Sequence, residues 1–263
     1  MTAGDNRIEF VYPARTAEVS ITGKACALRC AHCNALFLRD IGRPDPKSYL
    51  VSGGCNREGE VPLAENIETL RRLARGHRLI VHTGLIREEN VKKIAPFVHA
   101  ASFNFMCDDE TIREVYGLNK SGDDYVEAYC ALRKHVKAVP HITIGLNRGR
   151  IVSERKAFEI LGSLGAEAVV LNILIPTPGT RYAALQPPPV ESVVDVIGEA
   201  RRSLRDTPLF LGCMRPGGRY RDTIDREAVK LGMDRIVMPS HRAVQLAEGT
   251  GLTIGRRDEC CIL

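Results

Sequence analysis

Lys24-Ala-Cys-Ala-Leu-Arg-Cys-Ala-His-Cys-Asn34 is the stretch from which the rest of this chain is read. Cys26, Cys30 and Cys33 fall at C-x3-C-x2-C spacing. Thiolates that close together can ligate three irons of a cubic [4Fe–4S] cluster and leave its fourth iron open for chemistry. A zinc site usually brings two C-x2-C pairs, or Cys and His at zinc-finger spacing; here there is one C-x2-C, with His32 inside it. A disulfide knot suits small secreted chains, not 263 residues whose opening Met1-Thr-Ala-Gly-Asp-Asn6 does not read as a signal peptide.

Outward from this stretch, short apolar runs alternate with amphipathic segments, a pattern that implies a parallel α/β architecture. Strands are expected at Glu18–Thr22, Tyr49–Ser52, Arg78–His82, Ala101–Phe105, His141–Leu146, Ala168–Ile173, Leu209–Gly212 and Arg235–Met238. Helices are expected at Leu63–Arg75, Arg87–Phe97, Tyr125–Val136, Glu154–Leu164, Val190–Leu204, Asp222–Leu231 and Ser240–Glu248. In the first of these, Ile67, Leu70, Leu73 and Ala74 share a face. Eight strands with interleaved helices read as a complete (β/α)8 TIM-type barrel, or a slightly open variant, over residues 1–249. Cys26 then follows the first strand, and functional residues belong at the carboxyl ends of the strands.

The C-x3-C-x2-C motif resembles the signature of the radical S-adenosylmethionine (SAM) enzymes. The resemblance implies that the open iron is chelated by SAM, which is cleaved to a 5′-deoxyadenosyl radical. It also gives roles to other residues. That superfamily usually has an aromatic residue before the third cysteine, where this chain has His32. Gly53 and Gly54 match a glycine-rich motif whose backbone holds the SAM amino group, with Cys55 in place of the usual Glu. Gly149 and Ile151 match the segment that holds the adenine, and Asn172, in Leu171–Thr180, faces the cleft in a segment similar to one of biotin synthase. Each has a plainer reading as a turn or rigid loop. Asp108 could bind ribose, or Asp108 and Asp109 could simply start a helix, Asp109 being the better cap.

Composition bounds the rest. The chain is 44% hydrophobic and 26% charged, ordinary for a globular enzyme, and it shows no run of apolar residues long enough to span a membrane. A net charge of +5 with scattered basic residues favours acidic partners without implying nucleic acid. Nine cysteines cannot all pair internally, and a reducing cytoplasm is the expected setting.

Six cysteines lie outside the motif. Cys130 reads as a small core residue in a helix. Cys55, Cys107 and Cys213 fall at carboxyl ends of strands. A tail of residues 250–263 is long enough, at roughly 3.3 Å per extended residue, to return over the barrel mouth and bring Cys260 and Cys261 there. Cys55, Cys213, Cys260 and Cys261 are therefore the expected ligands of a second cluster, with Cys107 in reserve. Cys260-Cys-Ile-Leu263 also fits a prenylation pattern, but Gly255–Glu259 is not polybasic. A terminal redox pair of thiols is the other alternative.

With Ser20–Cys33, Ser52–Cys55, Asp108–Leu118, Gly212-Cys-Met-Arg-Pro216 and the terminal Cys260-Cys261, the chain resembles the biotin-synthase-like proteins that form two-component lipoyl synthases. That resemblance implies two [4Fe–4S] clusters and SAM, and radical insertion of sulfur into an octanoyl chain on a carrier-protein lysine. It implies as partners the octanoylated lipoyl carrier protein, a second radical SAM component and an electron donor, with no membrane or nucleic acid. No acid or base beyond the clusters is required. Arg215 and Arg219, near Cys213, could face the carrier or hold the tail. The rival readings are another sulfur-inserting or methylating radical SAM enzyme, and a non-catalytic iron–sulfur scaffold.

Overall fold

A computed structural model describes residues 6–263. Its strands are β1 (Arg7–Val11), β2 (Thr16–Ser20), β3 (Ser48–Ser52), β4 (Arg78–His82), β5 (Ala100–Asn104), β6 (Ala138–Ile144), β7 (Val169–Ile173), β8 (Leu209–Leu211), β9 (Arg235–Val237) and β10 (Thr253–Arg257). They form one sheet in the order β10-β1-β9-β8-β7-β6-β5-β4-β3-β2. Every strand pairing is parallel. The helices are α1 (Ile67–Leu73), α2 (Glu88–Ile94), α3 (Asp109–Tyr116), α4 (Gly122–Arg133), α5 (Glu154–Ser163), α6 (Val190–Ser203), α7 (Gly218–Lys230) and α8 (His241–Gly249). None is long and apolar enough to cross a membrane.

The eight expected strands correspond to β2 through β9, each within a few residues. The closed (β/α)8 barrel is corrected. Two further strands, β1 and β10, extend the sheet beyond β9, and β2 and β10 are its two edges with no ladder between them. The result is an open, curled parallel sheet of ten strands. Parallel strands need both faces covered, and the alternation of side chains shows how this is done. Leu79, Val81, Ala101, Phe103, Ile142, Ile144, Val169, Leu171 and Leu209 pack outward into the main core, to which the helices contribute Leu70, Val91, Ile112, Leu132, Phe158 and Val193. Their sequence neighbours Ile80, Ala100, Val139, Val170 and Phe210 form a second, inner apolar cluster. Two residues further along four of these strands, the same inner face carries His82, Ser102, His141 and Asn172. The lumen thus has an apolar floor and a polar storey above it.

The floor is completed by the chain's last residues, which corrects the expected tail over the mouth. Beyond β10, Cys261 and Ile262 are buried in the inner cluster, against the opening residues of β5, β6 and β7. The Cys260 amide donates to Thr16 Oγ1 at 2.9 Å, at the start of β2. Lys137, preceding β6, donates to the Ile262 carbonyl at 2.7 Å. Arg235, opening β9, donates to the carbonyls of Cys261 and Leu263, and Arg78, opening β4, pairs with Glu259. These anchors sit at the amino ends of strands, so the tail closes the barrel from below. Ile262→Ala should cost about 2–5 kcal/mol, the usual loss for a fully buried aliphatic chain. Exposed Arg256→Ala should change stability by less than about 0.5 kcal/mol. Urea unfolding midpoints of the two variants measure the contrast.

Candidate active site

The cysteine motif forms the loop after β2, at the carboxyl end of the barrel. It is folded by its own backbone: the amides of Cys33 and Asn34 donate to the Cys30 carbonyl, and the Ala31 amide donates to Val115 at the end of α3. Arg29, Asn34 and Ala35 adopt left-handed conformations that turn the loop tightly. The loop rests on the end of β3. The Ala27 amide donates to the Cys55 carbonyl at 2.8 Å, and the Gly54 amide donates to Thr22 Oγ1 at 2.7 Å. A Cβ on Gly54 would collide with the Ala25 carbonyl and Cys26 Cβ. The close approach that this glycine permits is therefore that of the cysteine loop itself.

The thiols are electrostatically a set. Cys33 is lowered to about 7 by a hydrogen bond from Cys30, whose own thiol is raised by that bond, by burial and by its neighbours' charges. Burial, followed by the charges of Cys26 and Cys33, pushes Cys55 up to about 12. The charges of Cys26 and Cys33 bear on Cys55, whose carbonyl accepts from the Ala27 amide inside the motif loop. Among the described residues, no three His, Cys, Asp or Glu side chains converge tightly enough to hold a single metal ion. A cubane spreads its cysteines over different irons, farther apart than the ligands of one ion, so the thiols at the mouth suit a cluster better than zinc. His32 adds an orphaned polar atom. Its ring stands edge-on to Tyr116 at 6.1 Å, burial lowers it to about 4, and its Nδ1 is buried without a hydrogen-bond partner. A cluster with SAM fits a site of this kind, with Cys26, Cys30 and Cys33 as ligands.

The neighbouring loops are held rigidly. Asp108 is the N-cap of α3: its Oδ2 accepts from the Thr111 amide at 2.8 Å and from Thr111 Oγ1. Asp109 Oδ1 accepts instead from the Gly122 amide at the start of α4. The expectation of Asp109 as the cap is thus reversed, and the Asp108 carboxylate is taken up by the backbone. After β6, Gly149 and Ile151 lie in a loop pinned by Glu154, whose carboxylate accepts from the amides of Gly145, Val152 and Ser153. Glu154 does more than decorate a helix start. Its burial, at 6% exposure, is the signal that sequence alone does not carry. Cys107 follows β5 and donates to the Ser153 carbonyl, apart from both cysteine groups. Cys130 is half-buried on α4 and not a core residue.

Within the lumen, His141 meets Ser102 Oγ and the Val139 carbonyl, each at 3.0 Å, and the His82 ring stands 6.3 Å away. A Cβ on Gly212 would overlap Asn172 Oδ1, so a glycine there leaves room for that amide. Burial lowers His82 to about 4 and His141 to about 3, so both are neutral at pH 7. The sign of the linkage follows. The unfolded chain binds protons near pH 6.5 and the folded chain only below about 4, so stability is lost as pH drops through that window. The slope should reach about 1.4 kcal/mol per pH unit for each histidine. Urea unfolding of the metal-free protein between pH 7 and 4.5 reads it, and His82→Gln with His141→Gln should flatten it.

A second set of cysteines lies away from the motif loop. Cys213, two residues past β8, is open to solvent yet surrounded by protein, as a lumen side chain is. Burial and the charge of Cys260 push its thiol up. A hydrogen bond from Cys261 lowers Cys260, and that bond and burial raise Cys261. The charge of Glu18, on β2, bears on both Cys213 and Cys260. Arg215 cannot reach a carrier. Its side chain is fully buried, paired to Asp225 at 2.7 Å, and it donates to the carbonyls of Gly212, Val237 and Met238. Arg219 is exposed at the start of α7.

No family model and no curated protein matches the sequence. Solved structures do match the fold. Methylornithine synthase superposes with a TM-score of 0.67 at 13% identity, over 95% of this chain and 84% of that one. The FeFe-hydrogenase maturase HydG from Carboxydothermus hydrogenoformans gives 0.67 at 13%, over 95% and 68%. SuiB from Streptococcus suis, bound to S-adenosylmethionine, gives 0.55 at 12%, over 82% and 52%. The chain has the curled parallel barrel that these structures share.

Proposed function

We propose that this protein is a radical SAM enzyme that inserts sulfur into the octanoyl chain of an octanoyl-lysyl carrier protein, as one component of a lipoyl synthase. The observation that carries the reading is the number of cysteines this one barrel gathers: Cys26, Cys30, Cys33 and Cys55 in the loops after β2 and β3, Cys213 past the end of β8, and Cys260 and Cys261 in the tail packed on the inner cluster. The fold shared with methylornithine synthase, HydG and SAM-bound SuiB supports it. When bound, a [4Fe–4S] cluster with SAM at the mouth would supply a 5′-deoxyadenosyl radical that takes hydrogen from unactivated carbon, and a second cluster below would supply sulfur.

The chain's own residues align and shield. Glu154 fixes the loop through Gly149 and Ile151, and His32 offers its unpartnered nitrogen beside the triad. Outward-packed helices keep water from the lumen walls. The apolar floor of Val139, Phe210 and Ile262 suits the tip of an aliphatic chain. Arg219 lies where an acidic carrier could dock, and a second radical SAM component and an electron donor complete the proposed system.

The test is incubation of the reconstituted, reduced protein with SAM and an octanoyl-lysyl peptide, with and without the partner component. Mass spectrometry should show a gain of one sulfur; no thiolated peptide under either condition sinks the assignment. The polar storey of His82, Ser102, His141 and Asn172 favours a second reading, another radical SAM reaction on a hydrogen-bonding small molecule. SAM cleavage that octanoyl peptide leaves unaccelerated would support it.

A further inference from the structure

Cys55 is the residue whose position the mouth chemistry leaves unexplained. Three cysteines suffice for a cluster with an open iron, yet the loop after β3 lays a fourth cysteine beside the motif loop. The backbone contacts make this placement firm. The Cys55 carbonyl accepts from the Ala27 amide, inside the motif, and the preceding Gly54 packs directly against Cys26. The thiol is half-buried, and its Sγ lies against Gly84, in the loop after β4. Four cysteines on two adjoining loops match in number the four irons of a cubane.

We infer that Cys55 is a displaceable fourth ligand: its thiolate caps the fourth iron of the cluster on Cys26, Cys30 and Cys33 until SAM takes that iron. The inference rests on the radical SAM reading of the triad. In the exchange the iron–sulfur bond to Cys55 breaks and the amine and carboxylate of SAM bind the iron. The freed thiolate takes a proton from water, and no electron moves. A capped cluster exposes no open iron to solvent while the site is empty. The cap also competes with SAM, so its removal should tighten SAM binding in proportion to the capped fraction.

Mössbauer spectra of the 57Fe-loaded full chain, recorded with and without SAM, test this, with Cys55→Ala and Cys55→Ser as variants. In the native protein without SAM the irons of the mouth cluster should all be sulfur-ligated, and SAM should convert one iron per chain to nitrogen and oxygen ligation. In Cys55→Ala that distinct iron should be present before SAM is added, and SAM should bind about tenfold tighter or more. Cys55→Ser, retaining a weaker oxygen donor, should fall between. A distinct iron in the native protein without SAM, with equal SAM affinity in all three proteins, overturns the cap. Mouth-cluster iron unchanged in a Cys26→Ala, Cys30→Ala double variant, which leaves only Cys33 and Cys55 there, overturns the cap together with the radical SAM reading, which separates the two failures.

Discussion

Cys26→Ala, Cys30→Ala and Cys33→Ala should each abolish reductive cleavage of SAM and lower iron from about eight to about four per chain. Each removes one of the three thiols that fit the mouth cluster. Cys30 is buried, and its carbonyl organises the turn through the amides of Cys33 and Asn34. Those bonds belong to the backbone and survive the substitution, so the folded chain should persist while cluster and activity disappear. Circular dichroism verifies the first, and iron content with 5′-deoxyadenosine production the second. Cys213 and Cys260 should behave differently. Cys213→Ser or Cys260→Ser should leave 5′-deoxyadenosine formation in place and eliminate the gain of sulfur. If Cys213→Ser or Cys260→Ser stopped SAM cleavage as completely as Cys30→Ala, the proposed division of labour between the two sets of cysteines would be wrong.

The largest stability effect should come from Asp225→Ala, about 3–5 kcal/mol, because it leaves Arg215 buried without its countercharge. Both side chains are completely inaccessible, and Asp225 accepts from Arg215 Nε at 2.7 Å and Nη2 at 3.1 Å. It also accepts from the Ser240 amide at the start of α8. Arg215 in turn serves carbonyls at the ends of β8 and β9. The pair therefore ties two strand ends to α7 and α8 beside Cys213. Replacing both residues by apolar ones of similar volume, Arg215→Met with Asp225→Leu, should recover much of the loss, since desolvation of the pair is removed along with its attraction. Chemical unfolding of the two single variants and the double variant forms the cycle. A single variant with unchanged midpoint would show that the pair does not hold these loops.

The strands were legible because each is a short apolar run between helical periodicities, and β4 matches its expectation residue for residue. β1 was not, because Arg7-Ile-Glu-Phe-Val11 alternates with charges. Those charges are used locally: Glu9 binds Arg235 at 2.7 Å and Arg257 at 2.5 Å, joining β9 and β10 to it. Chain spacing placed Cys55 and Cys213 at strand ends but could not say which cysteines meet, since that depends on the curl of the sheet. Likewise, a tail long enough to reach the mouth is also long enough to reach the floor. The apolar Ile262 decides between them, by burial in the inner cluster. Arg215 and Glu154 read as surface charges until the structure shows the carbonyls and amides that they satisfy.

If the lumen takes the octanoyl chain of the proposed function, its layering acts as a depth gauge. A guest entering from the mouth first meets hydrogen-bonding walls at His82, Ser102, His141 and Asn172, and then a dry bottom at Val139, Phe210 and Ile262. A greasy tip gains nothing by stopping among the polar walls, whereas at the bottom each methylene leaving water contributes about 0.8 kcal/mol. A polar shaft resists going that far, because its hydrogen bonds would go unmet. An elongated molecule with one oily end therefore comes to rest at a height set by its own length. Shortening or lengthening it by a carbon shifts which atom stands level with the thiols at either end.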